Sequence, residues 1–162
     1  MSTGTAAPAN VTIHDFRRGL EWALQDVFST MFNHTAEITP GEDVSDVSGI
    51  SAIVGFGGKV SGFLSLNMSS EAACSIAQGL LGMEFECVDD TVCDAVGELV
   101  NMLAGGLKKN LSRQEEMFKL SIPSIINGQE YRTHAPSDAV KMTMGVNAGP
   151  SRFRARLVVE FK

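Results

Sequence analysis

Residues 90–111 can form one kind of element in one kind of surrounding: a helix with a single buried side. At about 100° per residue, Asp94, Glu98, Asn101 and Gly105 fall within one narrow stripe, and Val92, Val96, Leu99, Leu103 and Leu107 fall opposite. The apolar side has to be covered, so the acid–amide stripe faces outward. Asn is a weak helix former and Gly a worse one, so propensity alone does not place them there. Gly97 and the pair Gly105-Gly106 each cost the helix roughly 1 kcal/mol against Ala, which suits positions where other backbone approaches closely. That close neighbour can be a packed helix or strand of the same chain, or a partner. A carboxylate one turn before a carboxamide, followed by a bare glycine, suits gripping a partner and orienting a water. Spacing alone does not separate this reading from a solvated helix face.

The rest of the chain supplies what the helix needs to cover. Ile50, Ala52, Val54 and Phe56 alternate, Gly57-Gly58 forms a turn, and Val60, Gly62, Leu64 and Leu66 alternate again, the pattern of a hairpin. The last third reads as strands. Phe118, Leu120 and Ile122 alternate up to Pro123, which cannot donate to a ladder, so that segment is expected at an edge, or to end or bulge there. Val140, Met142, Met144 and Val146 alternate next, with both methionines expected in the core. Asn147-Ala148-Gly149-Pro150 turns the chain into a final strand through Phe153, Ala155, Leu157, Val159 and Phe161. Arg152, Arg154 and Arg156 then lie on the outward, solvated face of that strand rather than forming a docking strip.

Two further helices complete the pattern. Thr12 and Asp15 resemble a capping box before Phe16, Leu20, Ala23, Leu24, Val27 and Met31, which predicts a helix from about Ile13 to Asn33. Pro40-Gly41 breaks the chain into a polar, acidic connection. Ser69 or Ser70 caps a second helix with Ala73, Ile76, Ala77, Leu80 and Leu81 on its apolar face, and Gly82 ends it. Asp89 or Asp90 opens the third helix, the one that carries the stripe. Hairpins at both ends favour antiparallel pairing. The expected fold is α+β with two layers, a mainly antiparallel sheet with helices packed on one face. Residues 1–11 read as a flexible tail and residues 12–162 as a single domain.

Composition narrows the function. A net charge of -6 leaves no basic excess to meet the phosphates of nucleic acid or an anionic membrane. No apolar run approaches the length that spans a bilayer. The small, polar N-terminal residues lack the basic and apolar regions of a secretory signal, so a cytoplasmic location is expected. Cys74, Cys87 and Cys93 form no Cys-x-x-Cys pair and are expected to be reduced, packed thiols, with Cys87 and Cys93 buried. His14, His34 and His134 show no metal-ligand spacing. There is no phosphate-cradling Gly-x-x-x-x-Gly-Lys loop and no Gly-x-Ser-x-Gly elbow.

Against that background Asp94-x-x-x-Glu98-x-x-Asn101, with Pro123 at the twenty-second position after the Asn, resembles the signature of the CheC/CheX/FliY chemotaxis phosphatases. The surrounding Gly97-Glu98-Leu99-Val100-Asn101-Met102-Leu103-Ala104-Gly105-Gly106 is similar to that family's helix. The element order also resembles a CheX-like domain over nearly all of residues 12–162. CheC-type members carry two such helices. Glu21 in the first helix is followed by Leu24 rather than Asn, so the single motif points to the CheX branch.

The resemblance implies hydrolysis of the aspartyl phosphate of a phosphorylated CheY-type response regulator. It implies that Glu98 pairs with the regulator's active-site lysine and that Asn101 orients the attacking water. Asp94 and Pro123 match the outer signature positions, and Gly105 would keep the approach to the regulator open. A carboxamide offers one acceptor and two donors, so it can orient a water without titrating. Phosphoryl transfer asks for in-line positioning and charge stabilisation rather than a covalent catalyst. No metal or cofactor is expected on this chain, with magnesium held by the regulator. The resemblance also implies a homodimer, expected to form from strand edges in the C-terminal third, where the segment from Phe118 to Ile126 lies at an exposed edge and five short strands cannot fill every edge beside the final strand. The alternative function is a non-enzymatic regulator-binding adaptor or flagellar-switch module on the same fold.

Overall fold

The computed structural model describes residues 11–41, 46–111, 117–132 and 136–161. Along the chain run α1 (Ile13–Met31), β1 (Glu37–Pro40), β2 (Asp46–Gly58), β3 (Val60–Met68), α2 (Ser70–Leu81) and α3 (Asp90–Leu111). They are followed by β4 (Phe118–Leu120), β5 (Ser124–Arg132), β6 (Val140–Ala148) and β7 (Ser151–Phe161). All seven strands join one sheet in the order β1-β6-β7-β3-β2, and β4 and β5 both pair with β2. Every pairing is antiparallel. The expected α+β, two-layer architecture is the one found. Of the expected tail, residues 1–10 lie outside the described residues, while Val11 packs against the core.

The inward positions of the strands follow the period of two. Ile50, Ala52, Val54, Leu64, Leu66, Ala155 and Leu157 are fully buried under the apolar sides of the three helices. Met142 and Met144 are buried as expected. Phe16 of α1 packs against both Phe56 and Phe118, at 6.0 and 6.3 Å between ring centroids, and ties the first helix to the sheet. At the head of α1 the Asp15 carboxylate accepts the Thr12 backbone N–H at 2.8 Å. The helix stops two residues short of Asn33. The Ser69 hydroxyl accepts the Ala72 N–H at 3.1 Å to start α2, and Gly82 ends it in the left-handed conformation at φ 74°, which favours glycine.

Four strand expectations change. β1 was not visible in the sequence, because four residues ending at a proline carry too little alternation; it completes the edge beside β6. Gly57 and Gly58, expected as a free hairpin turn, still pair with Lys119 and Phe118 of β4. β5 was not expected as a strand. The alternation after Phe118 stops at Leu120, and Ile122 lies outside any strand. The chain then passes Pro123 and re-enters the sheet at Ser124, opposite Ile53. Pro123 therefore interrupts an edge, as its missing donor requires. β7, expected to keep an unfilled edge, is flanked on both sides by β3 and β6.

The arginine row is not uniformly solvated. Arg152 is exposed and its Nε donates to Asn147 Oδ1 at 2.8 Å. Arg154 donates to Asn67 Oδ1 at 3.1 Å. Arg156 is buried on the outward side, where its neighbours in register are Ser65 and Thr143, themselves buried. Cys87, expected to be buried, is exposed, and Cys74 and Cys93 are half-buried; all three are free thiols.

Candidate functional site

The site is built on α3, and its position follows from how that helix is held. The Asp89 carboxylate accepts the Val92 N–H at 2.9 Å and starts the helix. Val92, Val96, Leu99, Val100, Leu103 and Leu107 bury against the sheet and α1. Lys108 and Lys109 in the last turn complement the helix dipole. With that side fixed, Asp94, Glu98 and Asn101 stand exposed on the opposite side, one turn apart from each other. The stripe expected from the sequence is an exposed stripe in the structure.

The three glycines of α3 do different things. A Cβ on Gly106 would lie 2.9 Å from Ala23 Cβ of α1 and 3.8 Å from Trp22 Cζ3, so this glycine lets two helix backbones approach. A Cβ on Gly97 would meet Ile125 Cδ1 at 3.4 Å and Pro123 Cγ at 3.8 Å, at the start of β5. A Cβ on Gly105 would meet nothing within 4 Å. At about 100° per residue, Gly97 and Gly106 fall on opposite shoulders of the stripe, and Gly105 falls within it. The stripe thus runs between Pro123 on one shoulder and α1 on the other.

Pro123 is brought there by a clamp that sequence reasoning missed. The Ser121 backbone N–H donates to the Gly55 carbonyl at 2.8 Å. In return the Gly55 N–H donates to Ser121 Oγ at 2.9 Å. The Ser121 hydroxyl itself donates to the Ile122 carbonyl at 3.0 Å. These bonds pin the connection between β4 and β5 to the middle of β2 and present Pro123 to Gly97. A serine two residues before a proline carries no pattern of its own, and only its pairing with Gly55 identifies it.

All five sequence-predicted residues therefore belong to one surface. It offers two carboxylates, a carboxamide, an open glycine and a rigid proline. It holds no activated nucleophile. Cys93 adjoins Asp94, but burial, and then the charges of Asp90, Asp94 and Asp89, push its thiol up and keep it protonated. Burial likewise raises the Cys74 thiol, with Cys87 and Asp89 adding to it. Among the described residues no group of three or more His, Cys, Asp or Glu could hold a metal ion. Nor is any helix there long and apolar enough to cross a membrane. Such a surface can position a water and meet a cation on a partner, and it depends on the partner for the reacting group.

Residues 50–147 match the family model described as chemotaxis phosphatase CheX. A Thermotoga maritima protein named CheY-P phosphatase CheX is 27% identical over 95 residues, which are 58% of this chain and 61% of that protein. The chain thus spans less than two thirds of that relative's length. Among solved structures, a CheC-like superfamily protein from Shewanella sp. PV-4 is 27% identical, with a TM-score of 0.79 over 90% of this chain and 97% of that one. A CheX–CheY–BeF3–Mg2+ complex from Borrelia burgdorferi contains a chain 21% identical, with a TM-score of 0.74 over 91% of this chain and 97% of that one.

Proposed function

The chain belongs to the CheX family of chemotaxis phosphatases, and on that premise we propose that it dephosphorylates a phosphorylated CheY-type response regulator. The observation that carries this reading is the exposed Asp94–Glu98–Asn101 stripe with Pro123 packed beside it on Gly97. Four signature positions spread over thirty residues of sequence meet on one surface, and the surface holds the residue types that water positioning requires.

In this reading α3 lays its stripe against the phosphoryl site of the regulator. Asn101 is the catalytic residue: its carboxamide accepts from and donates to the attacking water and fixes it in line with the phosphorus. Glu98 meets the regulator's lysine and sets the distance of approach. Asp94 and Pro123 border the contact, and Gly105 leaves room for the partner's backbone. The water attacks the phosphorus, the bond to the aspartyl oxygen breaks, and inorganic phosphate and the free aspartate result. Magnesium belongs to the regulator, where it offsets charge on the phosphoryl oxygens. The Borrelia complex, which contains CheY, BeF3 and Mg2+, supports this division of labour.

The experiment is to time the loss of acyl phosphate from a magnesium-loaded, phosphorylated regulator with and without this protein. Acceleration that Asn101→Ala removes is the expected result. Tight binding without acceleration would identify the adaptor reading instead. Elemental analysis of the isolated protein should find no stoichiometric metal, while the reaction should stop on chelation.

The same family reading includes a symmetric dimer. β5 pairs with β2 on one side, and no described strand lies on its other side. An open antiparallel edge invites the same edge of a second copy, and a two-fold axis closes the pairing. The dimer would use β5 rather than β7, whose edges are filled. Light scattering at tens of micromolar should return the dimer mass, and a monomer mass would refute the assembly.

A further inference from the structure

Two large apolar side chains stand open to solvent on either side of the stripe, and the reading above assigns neither of them. Trp22, the sole tryptophan of the sequence, is 43% exposed on α1. It sits at the level of Gly106, beside the open Gly105, one turn from Asn101. Ile122 is 85% exposed next to Pro123, on the opposite shoulder. Single exposed apolar residues are ordinary on any surface. Their placement is what counts here. Trp22 is held by the close approach of α1 at Gly106, and Ile122 by the Ser121–Gly55 clamp. The backbone that carries each is thus held in place, and the polar stripe lies between them.

A polar stripe alone makes a poor interface. Carboxylates and amides exchange water for partner groups at small net gain, and rim charges act mainly on encounter rate. Most binding free energy in protein contacts comes from a few buried aromatic or aliphatic anchors beside the polar groups, with tryptophan the most enriched. We propose that Trp22 and Ile122 are the affinity anchors of this surface. They clasp the receiver protein on either side of its phosphoryl site and so set which regulator is accepted. The proposal rests on the reading of the stripe as the regulator-binding site and deepens it: affinity comes from the two shoulders, chemistry from the stripe.

The test uses the full chain and the regulator whose dephosphorylation the wild-type protein accelerates. If no CheY-type regulator of the same organism is accelerated, the functional reading fails and the anchors fail with it. With an accelerated regulator in hand, Ile122→Ser and Trp22→Ala should each raise KM for the phosphorylated regulator at least tenfold and leave kcat within twofold. Asn101→Ala should do the reverse. Ile122 contributes almost nothing to the core, so its variant folds whatever Trp22→Ala does. Wild-type protein labelled with 5-fluorotryptophan gives one fluorine signal, from Trp22. That signal should shift on titration with the beryllofluoride- and magnesium-loaded regulator, and not with the unactivated regulator at the same concentration. An unmoved signal at saturation, or an unchanged KM for Ile122→Ser, would overturn the proposal while leaving Asn101 chemistry intact.

Discussion

The two sides of α3 share one backbone and answer to different demands. On the buried side α3 packs on α1, α2 and the sheet, and the residues are those any packed helix would choose: Val92, Val96, Leu99, Leu103, Leu107. On the open side stand poor helix formers, an exposed Asn101 and a Gly105 whose added Cβ would meet nothing within 4 Å among the described residues. The buried side pins the helix to the fold. The open side is free to be chosen for something outside the fold, and its choices cost stability. The contrast teaches that the functional side is recognised by what packing leaves unexplained.

The sharpest way to break this comparison is to cut one residue from each side. Leu103→Ala, in the buried row, should cost about 2–5 kcal/mol of stability through lost burial and the cavity left behind. Its effect on turnover should follow only from the fraction folded. Asn101→Ala should leave stability within about 0.5 kcal/mol, as for other surface changes. Accelerated dephosphorylation should fall roughly a hundredfold or more, since a misplaced water forfeits the in-line geometry. Denaturant melts and acyl-phosphate decay on the same two variants check both halves. A stability loss in Asn101→Ala, or full turnover, would show the stripe to be part of the packing or idle.

Glu98 gives a smaller effect of a different kind. It lies on the rim of the contact, where charge acts on association more than on residence. Glu98→Ala should weaken regulator binding and lower the rate at sub-saturating regulator, and Glu98→Lys should do so more strongly by meeting the partner's lysine with like charge. Association rates measured at low and high salt separate the two variants, because screening relieves the lysine variant selectively. Salt-independent binding in both would leave Glu98 as a solvated side chain.

How much of this was legible beforehand depends on where the information sits. The stripe was legible because a helix repeats its faces every turn, so Asp94, Glu98 and Asn101 could be grouped from spacing alone. The central strands β2, β3, β6 and β7 were legible from alternation. β1 and β5 were not. β1 is four residues long, and the start of β5 hides behind Pro123, which ends one strand and lets the next begin. Alternation identifies β3 and β7 but not that they pair, so the edge expected to stay open on the final strand is filled by β3. Pro123 could be matched to a signature position, yet its contact with Gly97 depends on the Ser121–Gly55 bonds, which join residues 66 apart in sequence. Arg156 looked like any outward strand residue. Its burial depends on Ser65 and Thr143 on neighbouring strands, which strand period does not reveal.

The finest version of the comparison lies in two adjacent glycines. By helix propensity alone Gly105 and Gly106 are equivalent, at a cost of roughly 1 kcal/mol each. The structure separates them. An added methyl at Gly106 would lie 2.9 Å from the Ala23 methyl, closer than such carbons approach, and neither can swing aside. Overpacking of this kind costs about 1–3 kcal/mol, offset by about 1 kcal/mol of helix propensity, so Gly106→Ala should be destabilising by about 1 kcal/mol. The same methyl at Gly105 meets nothing, so Gly105→Ala should be stabilising by up to about 1 kcal/mol. In a domain of this size each change moves the melting temperature by about 2–4 °C, in opposite directions. The activity readout then reverses the ranking. Gly106→Ala, once folded, should turn over normally, whereas a bulkier Gly105→Leu should raise KM while the fold stays intact, because its side chain occupies the partner's path. If both alanine variants were stabilised alike, α1 would not be held against α3 as closely as Gly106 implies. If Gly105→Leu bound the regulator normally, the open turn beside Asn101 would face solvent and not a partner.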